Sequence, residues 1–78
     1  MTWRVVSHAG REWKVSLAAE RHAASGCWQL ILSFRPSEGG RTIWAKAPIE
    51  SQSQAALYAH AARMPERELT ELLASRLQ

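Results

Sequence analysis

The chain has 78 residues, 46% of them apolar and 22% charged, with a net charge of +3. That length supports one small core with nothing left for a second to bury, and the composition is too apolar for a disordered chain. There is no Asp and no Asn, which removes EF-hand calcium loops, aspartyl dyads and Asp-based triads. The lone Cys27 excludes an internal disulfide framework, and no basic flank precedes an apolar leader, so a cytoplasmic location is expected. The apolar runs are far too short for a membrane span, for which about 20 residues are needed. Charge is uneven along the chain: residues 1–49 carry seven basic groups against three Glu, residues 50–78 three against four. The basic character, and any anionic partner it attracts, belongs to the first half.

Residues 2–7 are β-branched and aromatic, and His8-Ala9-Gly10 supplies a turn before residues 11–18, where Trp13, Val15 and Leu17 alternate with Glu12, Lys14 and Ser16. Two strands joined as a hairpin are predicted. Residues 18–26 lose the alternation and read as an irregular connection. In a third strand over 27–35, Trp28, Leu30, Leu32 and Phe34 share one side. The turn signal Pro36-Ser37-Glu38-Gly39-Gly40 predicts that a fourth strand, 41–47, pairs back on it, with Pro48 as its stop.

Ser51 and Gln54 have capping-box spacing and open an alanine-rich helix over 51–63. Pro65, Glu66 and Glu68 suit the start of a second helix over 66–77, in which Leu69, Leu72, Leu73 and Leu77 form an apolar stripe. Arg76 near its end suits the helix dipole. The predicted fold is α+β: a single domain with a four-stranded antiparallel meander sheet followed by two C-terminal helices packed on one face.

The inward sheet face is predicted to hold Trp13, Val15, Leu17, Trp28, Leu30, Leu32 and Phe34, with Trp3 and Val5 from the first strand. The fourth strand leaves two alternatives. With Ile43, Ala45 and Ala47 inward, Trp44 stands on the open face with Arg4, Lys14, Arg35 and Lys46, a basic surface with a central aromatic ring that suits single-stranded nucleic acid. In the opposite register Trp44 completes the core, and Ile31 with Ile43 makes an outer apolar patch for a protein partner or a second copy.

The residues carry little catalytic chemistry. His8, His22 and His60 lack zinc-site spacing, so no metal is expected. Cys27 with a histidine is outweighed by a buried structural thiol, and Gly39-Gly40 lacks the Lys-Ser/Thr of a phosphate loop. The expectation is a non-enzymatic interaction module without cofactor, either a homodimer or the accessory subunit of a larger protein. Its contact is the Leu69, Leu72, Leu73, Leu77 stripe, which together with the alanine-rich helix exceeds what one short sheet covers. Nucleic-acid binding is the alternative.

Gly10-Arg11-Glu12-Trp13-Lys14-Val15, then Trp28-Gln29-Leu30 through Phe34, Ala47-Pro48-Ile49 and the closing leucines resemble a group of small bacterial proteins with a G-R-x-W-x-V hairpin and a W-x-L-x-F strand. The resemblance implies a compact α+β domain and no activity; Tyr58 stands in a helix where that pattern has a tryptophan-containing loop. Residues 41–78 are also similar in element order to ribbon-helix-helix repressors, with Arg41, Thr42, Trp44 and Lys46 as the strand positions facing DNA. Met64-Pro65-Glu66 departs from the turn of that family. A meander followed by a helix is similar in order to single-strand-binding transcription cofactors of the coactivator and Whirly type, a likeness of fold alone.

Overall fold

A computed structural model of the protein describes residues 3–77. The elements run β1 (Arg4–His8), β2 (Arg11–Arg21), β3 (Trp28–Pro36), β4 (Ile43–Ser51), α1 (Gln54–Ala62) and α2 (Glu66–Leu77). The strands form one antiparallel sheet in the order β1-β2-β3-β4, and the fold is the α+β meander with two C-terminal helices. Thr2, at the start of the first predicted strand, lies outside the described residues.

The β1–β2 hairpin turns on only two residues, Ala9 and Gly10, with His8 opposite Arg11. Both have positive φ, 54° and 76°, as the tight primed hairpin turns require. This turn is one residue shorter than the predicted His8-Ala9-Gly10, and in a strand a shift of one residue exchanges the two faces. Val6 therefore sits opposite Trp13 in the core, whereas Val5 faces outward, 52% exposed. Val5 is not a core residue, and Arg4 moves with Val6 to the helix side.

β2 continues to Arg21 instead of breaking at residue 18. Ala18–Arg21 pair with Trp28–Ile31, a case of cross-strand pairing overriding weak strand propensity. The hairpin closes over His22–Cys27, where His22 N–H donates to the Cys27 carbonyl (2.8 Å) and Gly26, at φ 72°, donates to the His22 carbonyl (2.7 Å).

β4 likewise runs past Pro48. Ile31 pairs with Lys46 and Gln29 with Glu50, so a bulge takes Ala47, Pro48 and Ile49 past the single Leu30. A proline in a bulge of an edge strand forfeits no ladder bond. The Gln29 side-chain amide donates to the Ala47 carbonyl there, at 3.3 Å.

α1 starts later than predicted. Its cap is Ser53, whose hydroxyl accepts from Ala56 N–H at 3.3 Å, and Ser51 instead accepts from Ser53 N–H. The spacing serves Ser51 and Ser53 equally, but Ser51 is still paired with Trp28 as the last residue of β4, so the helix starts after it. α2 starts after Pro65, whose carbonyl accepts from Glu68 and Leu69.

Both helices cover the same sheet face, α1 over β2, β3 and β4, and α2 against the two edge strands β1 and β4. A twelve-residue helix is about 18 Å long and four strands span about 14 Å, so α2 reaches from edge to edge. Glu66 at its start accepts from Ser7 N–H of β1 (3.5 Å), and Arg76 at its end donates to the Trp44 carbonyl of β4 (3.1 Å). Each edge strand thus has one outward backbone group engaged by α2, which limits pairing with another chain. The core joins Val6, Trp13, Val15, Leu30, Leu32, Phe34, Ala45 and Ala47 of the sheet to Leu57, Ala61, Met64, Leu69 and Leu73.

Leu69 and Leu73 are fully buried on this chain's own sheet, and Leu72 is half-buried against it. The predicted interaction stripe is thereby corrected: the sheet is wide enough to absorb most of it, and only Leu77 is exposed.

Candidate nucleic-acid interface

The helices leave the other sheet face uncovered, and the register of β4 decides what stands on it. Phe34 pairs with Ile43, Ser33 with Trp44 and Leu32 with Ala45, so Ile43, Ala45 and Ala47 turn inward. Trp44 turns outward and is 57% exposed. The other three tryptophans each carry an arginine over the ring: Arg4 on Trp3 (4.8 Å), Arg11 on Trp13 (5.3 Å) and Arg21 on Trp28 (6.0 Å). Among the described residues no cation covers Trp44.

Of the five residues predicted for this face, four share it. Lys14 and Arg35 are directly opposite one another on β2 and β3, and neither forms an ion pair among the described residues. Lys46 lies opposite Ile31, its Nζ 3.8 Å from Glu20 Oε2 with both side chains more than half exposed. Such a pair is weak and screened by salt. Arg4 does not belong to the group: the short hairpin turn places it on the helix side, where its guanidinium donates to the Met64 carbonyl at 2.6 Å.

The pairings order the open face into rows. Val5, Lys14 and Arg35 form one; Ser16, Ser33 and Trp44 the next; then Ala18, Ile31 and Lys46. Trp44 thus sits between a row with two cations and a row with one. Glu12 lies beyond the first row and Glu20 and Glu50 beyond the last, so acid is confined to the ends. At the second end His22 Nε2 is 2.7 Å from Gln29 Oε1 and 3.9 Å from Glu50. Arg76 was missed by sequence reasoning. It reaches the β4 edge beside Trp44, and its dipole-compatible position in α2 gives no hint of that, because only the crossing of helix and sheet brings it there.

On the helix side, Pro48, Ile49, His60, Met64, Glu68, Glu71, Leu72 and Ser75 line a groove of about 530 Å³ between α1, α2 and the β4 bulge. Cys27, predicted as a buried structural thiol, is half-buried, because it lies in the β2–β3 loop outside the core. Among the described residues no group of three or more His, Cys, Asp or Glu could hold a metal ion, and no helix is long and apolar enough to cross a membrane. The ribbon-helix-helix arrangement is not the one built, since β4 is hydrogen-bonded into a four-stranded sheet and Arg41 and Thr42 precede it. Compared with protein-family models, curated proteins and solved structures, the chain matches none.

Proposed function

We propose that this domain binds single-stranded nucleic acid on its open sheet face, as a binding module and not as an enzyme. The observation that carries the reading is Trp44, the one tryptophan ring among the described residues with no arginine over it, exposed between the Lys14–Arg35 row and Lys46. An exposed aromatic ring stacks a base whatever its identity, and flanking cations follow the phosphates. Two opposed cations with no acid between them destabilise the free sheet, a cost that a bound polyanion reverses. A lone cysteine fits the reducing cytoplasm, where such strands occur.

The test is a fluorescence titration with a single-stranded oligonucleotide at several salt concentrations. Binding that quenches tryptophan emission, weakens with salt and falls by about 1–3 kcal/mol in a folded Trp44→Ala protein supports the reading. No binding at low salt removes it.

A protein-interaction role is the second reading, favoured by the apolar floor of the groove formed by Pro48, Ile49 and Leu72. It includes a homodimer or an accessory subunit. Sedimentation that finds a monomer at high concentration removes the homodimer.

A further inference from the structure

We infer that the hollow at the β4 edge receives one nucleotide of the bound single strand, with its base on Trp44 and its phosphate between Lys46 and Arg76. This rests on the nucleic-acid reading above and extends it to a specific position and to a residue of the C-terminal helix.

Ile31, Trp44, Ala45, Lys46 and Arg76 line a hollow of about 380 Å³. That volume is at the lower end of the range for small-ligand pockets, roughly 300–1,000 Å³. Its lining combines an exposed ring and an apolar floor at Ile31 with two cations. A planar aromatic group joined to an anion satisfies both parts; inorganic phosphate would leave the ring uncovered, and an apolar ligand would leave the cations without a partner.

Arg76 is held in place for this task. Its Nε donates to the Trp44 carbonyl at 3.1 Å, and among the described residues its guanidinium has no acidic partner. One N–H of the fork therefore fixes the side chain to the strand edge, while the terminal amino groups remain to donate to a phosphate. Lys46 is two residues from Trp44 on the same face, about 7 Å along the strand. Its contact to Glu20 is exposed and long, so a phosphate replaces it at little cost. With Lys14 and Arg35 on the other side of Trp44, the nucleic-acid strand crosses the face from the Lys14–Arg35 row to the Lys46–Arg76 hollow.

The experiment titrates an oligothymidylate of about twelve residues, a length within the usual site sizes of single-strand binders, into the native protein, Arg76→Gln, Arg76→Lys and Lys46→Gln. Thymidine 5′-monophosphate forms a second arm. Arg76→Gln and Lys46→Gln are each expected to weaken oligomer binding roughly three- to tenfold and to flatten the slope of log affinity against log salt by about 0.7, the value for one lost phosphate contact on a single strand. Arg76→Lys retains most of the slope. Oligomer binding with unchanged affinity and slope in both Gln variants overturns the inference while the nucleic-acid reading stands. If Arg76→Gln does not fold, Lys46→Gln, which engages no backbone group, decides alone: unchanged binding overturns the inference. Tight capture of the monophosphate without the oligomer also overturns it, since the ligand would be a free nucleotide. No binding of either by the native protein removes the nucleic-acid reading and this inference with it.

Discussion

The two faces of the sheet are built from the same strands with the same alternation, yet they have opposite characters. The helix-covered face places Val6, Trp13, Val15, Leu30, Leu32, Phe34, Ala45 and Ala47 in one buried cluster. The open face presents Val5, Lys14, Arg35, Trp44 and Lys46, none of them buried. Residues on the first face are explained by what they bury. Trp44 on the second is not, because it leaves most of its ring in water while three other tryptophans are covered by arginines. On the proposed function, stability belongs to the first face and binding to the second, which makes the two separable by experiment.

The largest expected effect tests the covered face. Leu73→Ala removes a fully buried side chain where α2 crosses the sheet and is expected to cost about 2–5 kcal/mol. In a domain of this size each kcal/mol lowers the melting temperature by roughly 4–8 °C, so a thermal melt should show a fall of about 8 °C or more. A fall of only a degree or two would mean that α2 packs too loosely to define the face.

Trp44→Ala makes the complementary test. It is expected to leave the melting temperature within a few degrees of the native protein, as exposed substitutions usually stay within about 0.5 kcal/mol. Affinity for a single strand should fall by about 1–3 kcal/mol, the usual contribution of one stacked base. Calorimetric melting and fluorescence titration of the same preparation read both quantities. A Trp44→Ala protein that unfolds would erase the distinction between the faces.

Much of this arrangement is legible in the residue pattern. The alternation through Trp13-Val15-Leu17 and Trp28-Leu30-Leu32-Phe34 identifies the covered face, and the Leu69/Leu73 spacing identifies the side of α2 that meets it. What eluded the pattern depends on single residues or on distant contacts. One residue more or less in the turn at Ala9-Gly10 decides whether Val5 or Val6 is inward and sends Arg4 to one face or the other. Ala18–Arg21 have no strand signal of their own and are extended because Trp28–Ile31 pair with them. Pro48 stays in a strand because a bulge removes it from the ladder, and Arg76 joins the site through a contact 32 residues away in sequence. The orientation of Trp44 follows from the Ser33–Trp44 pairing, which the Pro36–Gly40 turn leaves open by one residue.

The short turn itself is open to test, because it holds the two faces in register. Ala9 adopts φ 54°, a region that penalises alanine and suits asparagine, so Ala9→Asn is expected to stabilise the domain by about 0.5–1 kcal/mol. The melting temperature should rise by a few degrees with binding unchanged, since the turn joins β1 and β2, across the width of the sheet from Trp44 on β4. Destabilisation would mean that the hairpin closes over a longer loop, and with it the assignment of Val5 and Arg4 to their faces would reverse.

The smallest effect is also the one with opposite signs on the two properties. Lys14 and Arg35 face each other across β2 and β3, and like charges so placed are destabilising. Arg35→Glu turns the pair into an attractive one and is expected to raise stability by a few tenths of a kcal/mol, on the order of an exposed cross-strand ion pair. The same change places a negative charge beside Trp44 and should weaken single-strand binding, with a shallower salt dependence because one phosphate contact is gone. A substitution that stabilises the fold while impairing binding is what is expected where charge is arranged for a partner and not for the sheet. If Arg35→Glu instead lowers stability and leaves binding intact, the opposed cations belong to the fold, and the open face loses its strongest electrostatic argument for a polyanion.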